Sequence, residues 1–219
     1  VAVLAYDYTV LAGTQGYFNH RKTDRLLAVA KNRRIPVVFF AEGGGGRPGD
    51  TDTHDLIAAG LNVPTFAMLG SLSGVVPTVG IVTGRCFAGN AALLGSCDVI
   101  IATADSNVGM AGPAMIEGGG LGSFRPEDIG PMDVQSPNGV VDILVDSDAD
   151  AIEAAQRYLS YFTTPRTSWT AADQRRLRHV IGENRKEVYD IREIVSIIAD
   201  EGSVLELSLI HISEPTRRR

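Results

Sequence analysis

The chain has 219 residues, 44% of them apolar, and 26 acidic side chains against 20 lysines and arginines give a formal net charge of −6. That length holds one large domain or two small ones, and that apolar fraction builds a core without staples. The acidic balance leaves no basic stripe for nucleic acid, and Pro, Gly or a charge breaks every apolar run before it could span a bilayer.

Strand and helix signals alternate along the chain. Residues 1–6 form an apolar run of strand length, and 18–31 carry Phe18, Leu26, Leu27, Val29 and Ala30 between charges, which predicts an amphipathic helix. Residues 35–40 predict a buried strand, 53–60 a short helix stopped at Gly60, 64–72 a second helical piece and 78–82 a strand. A helix starts near Ala88, and strands follow at 98–102 and 107–110. Residues 112–131 are rich in Gly and Pro and show little period. After a strand at 140–145, residues 148–162 predict a helix capped by Ser147 with Asp150, with Ile152, Ala155, Leu159 and Phe162 on one face. Thr170 with Asp173 is expected to start a charged helix, and 190–201 an amphipathic one with Ile191, Ile194, Val195 and Ile198 together. Buried strands alternating with helices mean an α/β fold.

Two glycine-rich turns, each fed by an apolar strand, carry the chemistry. The first is Glu42-Gly43-Gly44-Gly45-Gly46-Arg47, and the second is Gly84-Arg85-Cys86-Phe87-Ala88-Gly89-Asn90 leading into Ala91-Ala92-Leu93-Leu94. Turns without side chains let a ligand oxygen approach backbone N–H groups. Two of them could hold two oxyanions, or one between two donors.

Other motifs weigh less. Gly44 to Gly49 satisfies G-x-G-x-x-G, but Pro48 sits in the loop and no acid stands near Leu69 where a ribose partner would be needed. Cys86 follows a strand as a nucleophile would, yet the surrounding pattern favours a buried, inert thiol, and Cys97 reads as core. Two cysteines in apolar surroundings are intracellular usage, and a cytoplasmic location is expected. His20, His54 and His179 lack metal-ligand spacing and default to solvated surface positions. Glu117 could be a general acid or base, or equally a loop carboxylate.

Several stretches, in order, resemble the carboxyltransferase component of biotin-dependent acyl-CoA carboxylases, specifically its N-terminal half. Asp7-Tyr8-Thr9-Val10-Leu11-Ala12-Gly13-Thr14-Gln15-Gly16 is similar to that family's aspartate-aromatic-threonine-valine-x-x-Gly segment. Lys22 falls where the family has a lysine at the start of its first helix. The first glycine turn stands at an aspartate-serine-Gly-Gly-Ala-Arg turn, the second at Gly-Pro-x-Ala-Gly-Gly-Ala, and Gly112-Pro113 at a Gly-Pro after the next strand. Residues 189–203 resemble the segment that opens the family's second half. Two departures stand out: Ala88 replaces the first glycine of the Gly-Gly pair, and Arg85 replaces proline.

The resemblance implies a crotonase-like fold of stacked strand-strand-helix units. It implies carboxyl transfer from carboxybiotin to the α carbon of an acyl-CoA through an enolate, with biotin itself as the base and no metal in this domain. Oxyanion donors would be the backbone N–H groups of Ala88 and Gly89. Gly44, Gly45, Gly46, Arg47, Lys22, Phe87 and Gly112 would line the acyl-CoA site, Lys22 and Arg47 facing phosphates. With no Ala-Met-Lys-Met sequence here, biotin is expected on a separate carrier, with biotin carboxylase as a further partner. A homo-oligomer would complete the active site between two subunits.

In domain terms, 1–188 is expected to be the acyl-CoA-binding domain, begun upstream of Val1, and 189–207 the start of the second. Residues 208–219 resemble a translated sequencing adapter and are set aside. Two other functions remain open: a crotonase-like acyl-CoA hydratase or hydrolase using Glu117, and a non-catalytic acyl-CoA-binding assembly module.

Overall fold

The computed structural model describes residues 1–47, 63–163, 165, 167–184 and 186–207. The helix expected at 53–60, His54 and the tail at 208–219 lie outside the described residues. Two compact units divide the chain, Val1–Leu159 and Ser160–Leu207.

The first unit is built on a parallel sheet of β1 (Ala2–Ala5), β2 (Val37–Phe40), β3 (Thr78–Val82), β5 (Val99–Thr103) and β7 (Ile143–Val145), in that spatial order. The inner strands β3 and β5 are buried at every position. Strands this fully buried, and apolar apart from Thr78 and Thr103, suit a parallel sheet covered on both faces. Between β1 and β2 runs α1 (Tyr17–Arg33), whose Leu27 and Ala30 are buried. It ends at Arg34 in the left-handed region, where the Arg34 N–H reaches back to Ala30 O and Lys31 O. α2 (Thr65–Gly70) precedes β3, and α3 (Gly89–Leu94) precedes β5. Leu69, Leu93 and Leu94 come from these helices, and Phe39 and Val82 from the sheet, to one core.

Three features exceed the sequence expectation. The second glycine turn contains a strand, β4 (Arg85–Phe87), which pairs in parallel with β6 (Asn107–Gly109) as a separate small sheet. The Gly-Pro stretch after β6 contains α4 (Pro113–Gly118) with Pro at its start, and a 3-10 turn at Pro126–Asp128. A further short helix, α5 (Met132–Gln135), buries Met132.

Helix α6 (Asp148–Thr163) forms as expected: Asp150 N–H donates to Ser147 Oγ at 3.2 Å, and Ser147 Oγ donates to Asp150 Oδ2 at 2.6 Å. Its buried face, however, is Ala151, Ala155 and Leu159, spaced by four, while Ile152 and Phe162 are exposed. In the second unit the expected charged helix is a 3-10 turn, Gln174–His179, capped by Asp173. Thr170 plays no part in that cap, because its hydroxyl donates to Glu201 instead. α7 (Ile191–Ile198) is capped by Asp190, whose carboxylate accepts from Arg192 N–H. It buries Ile197, leaving Ile191, Val195 and Ile198 exposed. Single-helix periodicity locates an apolar stripe, but a stripe of five aliphatics in eight residues is too wide to say which edge packs.

Among the described residues no helix is long and apolar enough to cross a membrane, and no group of three His, Cys, Asp or Glu side chains could hold a metal ion.

Candidate functional site

The two glycine turns meet at the ends of β2 and β4. Gly43 N–H donates to Arg85 O and Phe87 N–H to Gly43 O, both at 2.8 Å, which extends the small sheet by a parallel bridge into the first turn. The loop after β1 closes the other side: Gln15 N–H donates to Gly45 O at 2.7 Å and Arg47 N–H to Gln15 O at 2.8 Å, while Gly44 N–H reaches Ala12 O. Gly45 needs its lack of a side chain twice over. Its φ is +90°, and a Cβ there would stand 2.6 Å from the Ala88 methyl and 3.1 Å from Gly89 N.

Asn90 pins this junction. It is wholly buried, its Oδ1 accepts from Gly45 N–H at 3.0 Å, and its Nδ2 donates toward Glu42 O and Gly13 O. Glu42 braces the turn from below, its carboxylate accepting from the Thr83 N–H and hydroxyl. Phe87 is buried, and a Cβ at Gly112 would rest against its ring at 3.6–3.7 Å, so these two expected site residues pack on each other.

The amides now separate into filled and open. Ala88 N–H donates to Gly109 O at 3.0 Å, so in this arrangement it is spent on the β6 side and is no open oxyanion donor, a correction to the sequence expectation. Its cause is β4, which the sequence reading did not foresee and which carries residue 88 onto β6. The N–H groups of Gly46 and Gly89 donate to no acceptor among the described residues. Gly46 is exposed and Gly89 half-buried, so both can be reached.

Beside this junction lies a cavity of about 460 Å³ lined by Ala5, Tyr6, Asp7, Val10, Leu11, Gly13, Thr14, Asn19, Lys22 and Arg47. The structure thus brings Lys22 and Arg47, the pair the sequence reading singled out for phosphates, to the lining of one cavity. The Arg47 guanidinium is held by Thr14, donating to its hydroxyl at 3.2 Å and its carbonyl at 3.0 Å. Asp7 also faces the cavity, and hydrogen bonds from the Thr9 hydroxyl and N–H hold its carboxyl below the usual range.

The remaining candidates fall away from this site. Cys86 is fully buried, and its thiol donates to Ala41 O; burial first, then the Glu42 and Cys97 charges, push its pKa far above the ordinary thiol value. Cys97 is pushed up to about 12 by burial and by Asp98. Glu117 is exposed on α4 and does not line the cavity, which leaves the hydratase reading without its acid. His179 is exposed as expected, but His20 is not a free surface group: its Nδ1 is hydrogen-bonded to the Thr65 hydroxyl at 2.9 Å, and its ring tilts onto Phe66.

Gln15, Glu42 and Asn90 are the site residues that sequence reasoning missed. Asn90 had a signal, being the one polar side chain between Ala88 and Leu94.

A family model of the carboxyl transferase domain matches residues 1–209. The chain belongs to that family. It is similar to a single-chain, multi-domain long-chain acyl-CoA carboxylase of known structure, at 59% identity over 95% of this chain and 20% of that one, with a TM-score of 0.85. It is also similar to the biotin-dependent long-chain acyl-coenzyme A carboxylase beta4 subunit of Mycobacterium tuberculosis, at 25% identity over 95% of this chain and 41% of the relative. The transcarboxylase 12S structure with methylmalonyl-coenzyme A bound superimposes with a TM-score of 0.77 at 24% identity, over 94% of this chain and 41% of that one. These neighbours place the first unit's parallel sheet and small second sheet in the crotonase-like fold of carboxyltransferases. The chain spans roughly two fifths of the curated relatives it matches, from 40% of one to 44% of another.

Proposed function

We propose that this chain supplies the acyl-CoA-binding half of a biotin-dependent acyl-CoA carboxyltransferase. The observation that carries the reading is the pair of open amides, Gly46 N–H and Gly89 N–H, on two turns packed in contact. Removing a proton next to a thioester carbonyl throws negative charge onto the carbonyl oxygen, and aimed amides in a site shielded from water stabilise that charge. One such donor is worth about 3–4 kcal/mol. Gly89 keeps the role the sequence reading gave it, and Gly46 takes the one vacated by Ala88. Lys22 and Arg47 supply the positive charge for the phosphates of coenzyme A, Arg47 pre-oriented by Thr14.

Biotin on a separate carrier brings the carboxyl group, and biotin carboxylase loads it. The residues of this chain hold the acyl-CoA, orient its thioester and stabilise its enolate. A second half-site from another subunit of a homo-oligomer would face these turns.

The test is carboxyl transfer to acyl-CoA in the assembled enzyme, compared with the Gly89→Pro variant, which deletes the open amide, against a Gly89→Ala control that adds a Cβ beside Gln15 but keeps the amide. The reading expects transfer by the wild type and a fall of about a hundredfold in Gly89→Pro. A folded Gly89→Pro protein that transfers at the wild-type rate refutes the donor assignment, and a wild type that hydrates enoyl-CoA without biotin refutes the reaction.

A further inference from the structure

Gln15 stands where the two glycine turns meet, and both its backbone and its side chain take part. Its N–H and C=O bond to Gly45 O and Arg47 N–H, clasping Gly46 between them. Its carboxamide lies across the bare face of Gly89: a Cβ at residue 89 would overlap Gln15 Oε1 and come 3.2 Å from its Cδ. The residue is 4% exposed, so the carboxamide has nowhere to swing. Its Nε2 and the hydroxyl of Tyr6 are both buried, neither makes a hydrogen bond of good geometry among the described residues, and they face one another: burial raises the Tyr6 pKa, while Thr23 and the Gln15 amide work against it. An aliphatic side chain would fill this space but would not bring an amide to the Tyr6 hydroxyl.

We propose that Gln15 is a positioning residue, the strut that sets the separation of the two turns and so the geometry of the Gly46 and Gly89 N–H groups. It acts through those two amides and does not touch substrate. The inference rests on the carboxyltransferase reading above. Gly89 has no positive φ, and among the described residues the three atoms nearest to a methyl group there all belong to Gln15. Adding that methyl must displace the carboxamide, the far end of the buried side chain whose own backbone clasps Gly46. Misplacing reacting groups by about 1 Å costs on the order of a hundredfold in rate.

A four-member cycle tests this in the assembled enzyme: wild type, Gly89→Ala, Gln15→Ala and the double variant, each measured for kcat and for KM toward acyl-CoA. Gly89→Ala is expected to lower kcat by about tenfold or more, with a smaller change in KM. The double variant should recover at least threefold of that loss, because the methyl then has room. Gln15→Leu, which keeps most of the volume, should recover most of the kcat lost in Gln15→Ala.

Losses that multiply in the double variant overturn the strut, as does a Gly89→Ala protein with wild-type kcat. If Gly89→Ala fails to fold, Gln15→Ala decides: a lower melting temperature with kcat intact leaves Gln15 merely structural and refutes the proposal. A wild type that transfers no carboxyl to acyl-CoA removes the function first and this inference with it, whereas transfer with an uncoupled cycle removes the inference alone.

Discussion

The carboxamide of Asn90 occupies the space that a side chain at residue 43 would need. A Cβ at Gly43 would overlap Asn90 Nδ2 and Gly13 O. One side chain, donated by the start of α3, therefore does the packing of the first turn and accepts from Gly45 N–H at 3.0 Å as well.

Asn90→Ala should therefore destabilise twice, by a cavity and by an orphaned Gly45 N–H, for about 2–4 kcal/mol together. Gly43→Ser alone should fare as badly through overlap. The combined variant should lose less than the sum of the two single losses, since Asn90→Ala removes one of the two overlaps at residue 43 and leaves the one with Gly13 O. Denaturant midpoints of the four proteins check this, and simple additivity would show that the two sites do not share space.

Ala88 sits at φ +51°, ψ −120°, a region that L side chains rarely adopt. Such a residue stores about 1–3 kcal/mol of strain. Its methyl group is the nearest neighbour of the empty Cβ position at Gly45, so it also walls the junction. Ala88→Gly is expected to raise the melting temperature, by relief of strain worth about 1 kcal/mol net of the lost methyl contact and the added unfolded-state entropy. A lower melting temperature would mean the methyl contact outweighs the strain.

The sheet was legible because its signals are local. β1, β2, β3 and β5 are apolar runs, and α1 is long enough for its periodicity to stand out. β4 was not legible: Arg85-Cys86-Phe87 is three residues inside a glycine turn, and what makes it a strand is the partner at Asn107–Gly109. That omission is also why Ala88 was counted an open donor, since its acceptor, Gly109 O, arrives only with β6. Gln15 and Asn90 act across 30 and 45 residues or more, on Gly45 in both cases, and no window of sequence shows such a contact. Lys22 and Arg47 were legible as a pair only through the resemblance, because helix and turn come together in space alone.

For the cavity lining, Lys22→Glu should raise the apparent KM for acyl-CoA by about tenfold or more, the loss expected for one charge-assisted hydrogen bond to phosphate, and by more than it changes kcat. The effect should weaken as salt screens the charge. An acyl-pantetheine substrate lacking the nucleotide phosphates provides the control. If its KM rises equally, Lys22 does not meet those phosphates.

Both thiols should be silent in the folded protein. With the Cys97 pKa at about 12, only about one molecule in ten thousand carries that thiolate at pH 8, and Cys86 is both higher and fully buried. A thiol reagent at pH 8 is expected to label neither residue until denaturant is added, when both react, and transfer activity should survive the native treatment. Fast native labelling of Cys86 with loss of activity would restore it as a nucleophile.

Asp142, at the entry to β7, is half-buried, and its Oδ2 accepts from Ile100 N–H at 2.8 Å. Burial holds its carboxyl above the usual range, and the Ile100 bond offsets that only in part. The native state therefore binds this proton more tightly than the unfolded chain does. The associated stability is complete below the unfolded value near 3.8 and is lost as pH climbs through the raised native value. At neutral pH the charged carboxylate is a liability that an amide would not carry, while an amide oxygen can still accept from Ile100. Asp142→Asn should accordingly have a higher denaturant midpoint than the wild type at pH 7, with the difference shrinking toward pH 4 and gone below it. A difference that is the same at both pH values would mean that the carboxyl ionises as freely in the folded protein as in the unfolded chain, and that the Ile100 bond, not burial, governs it.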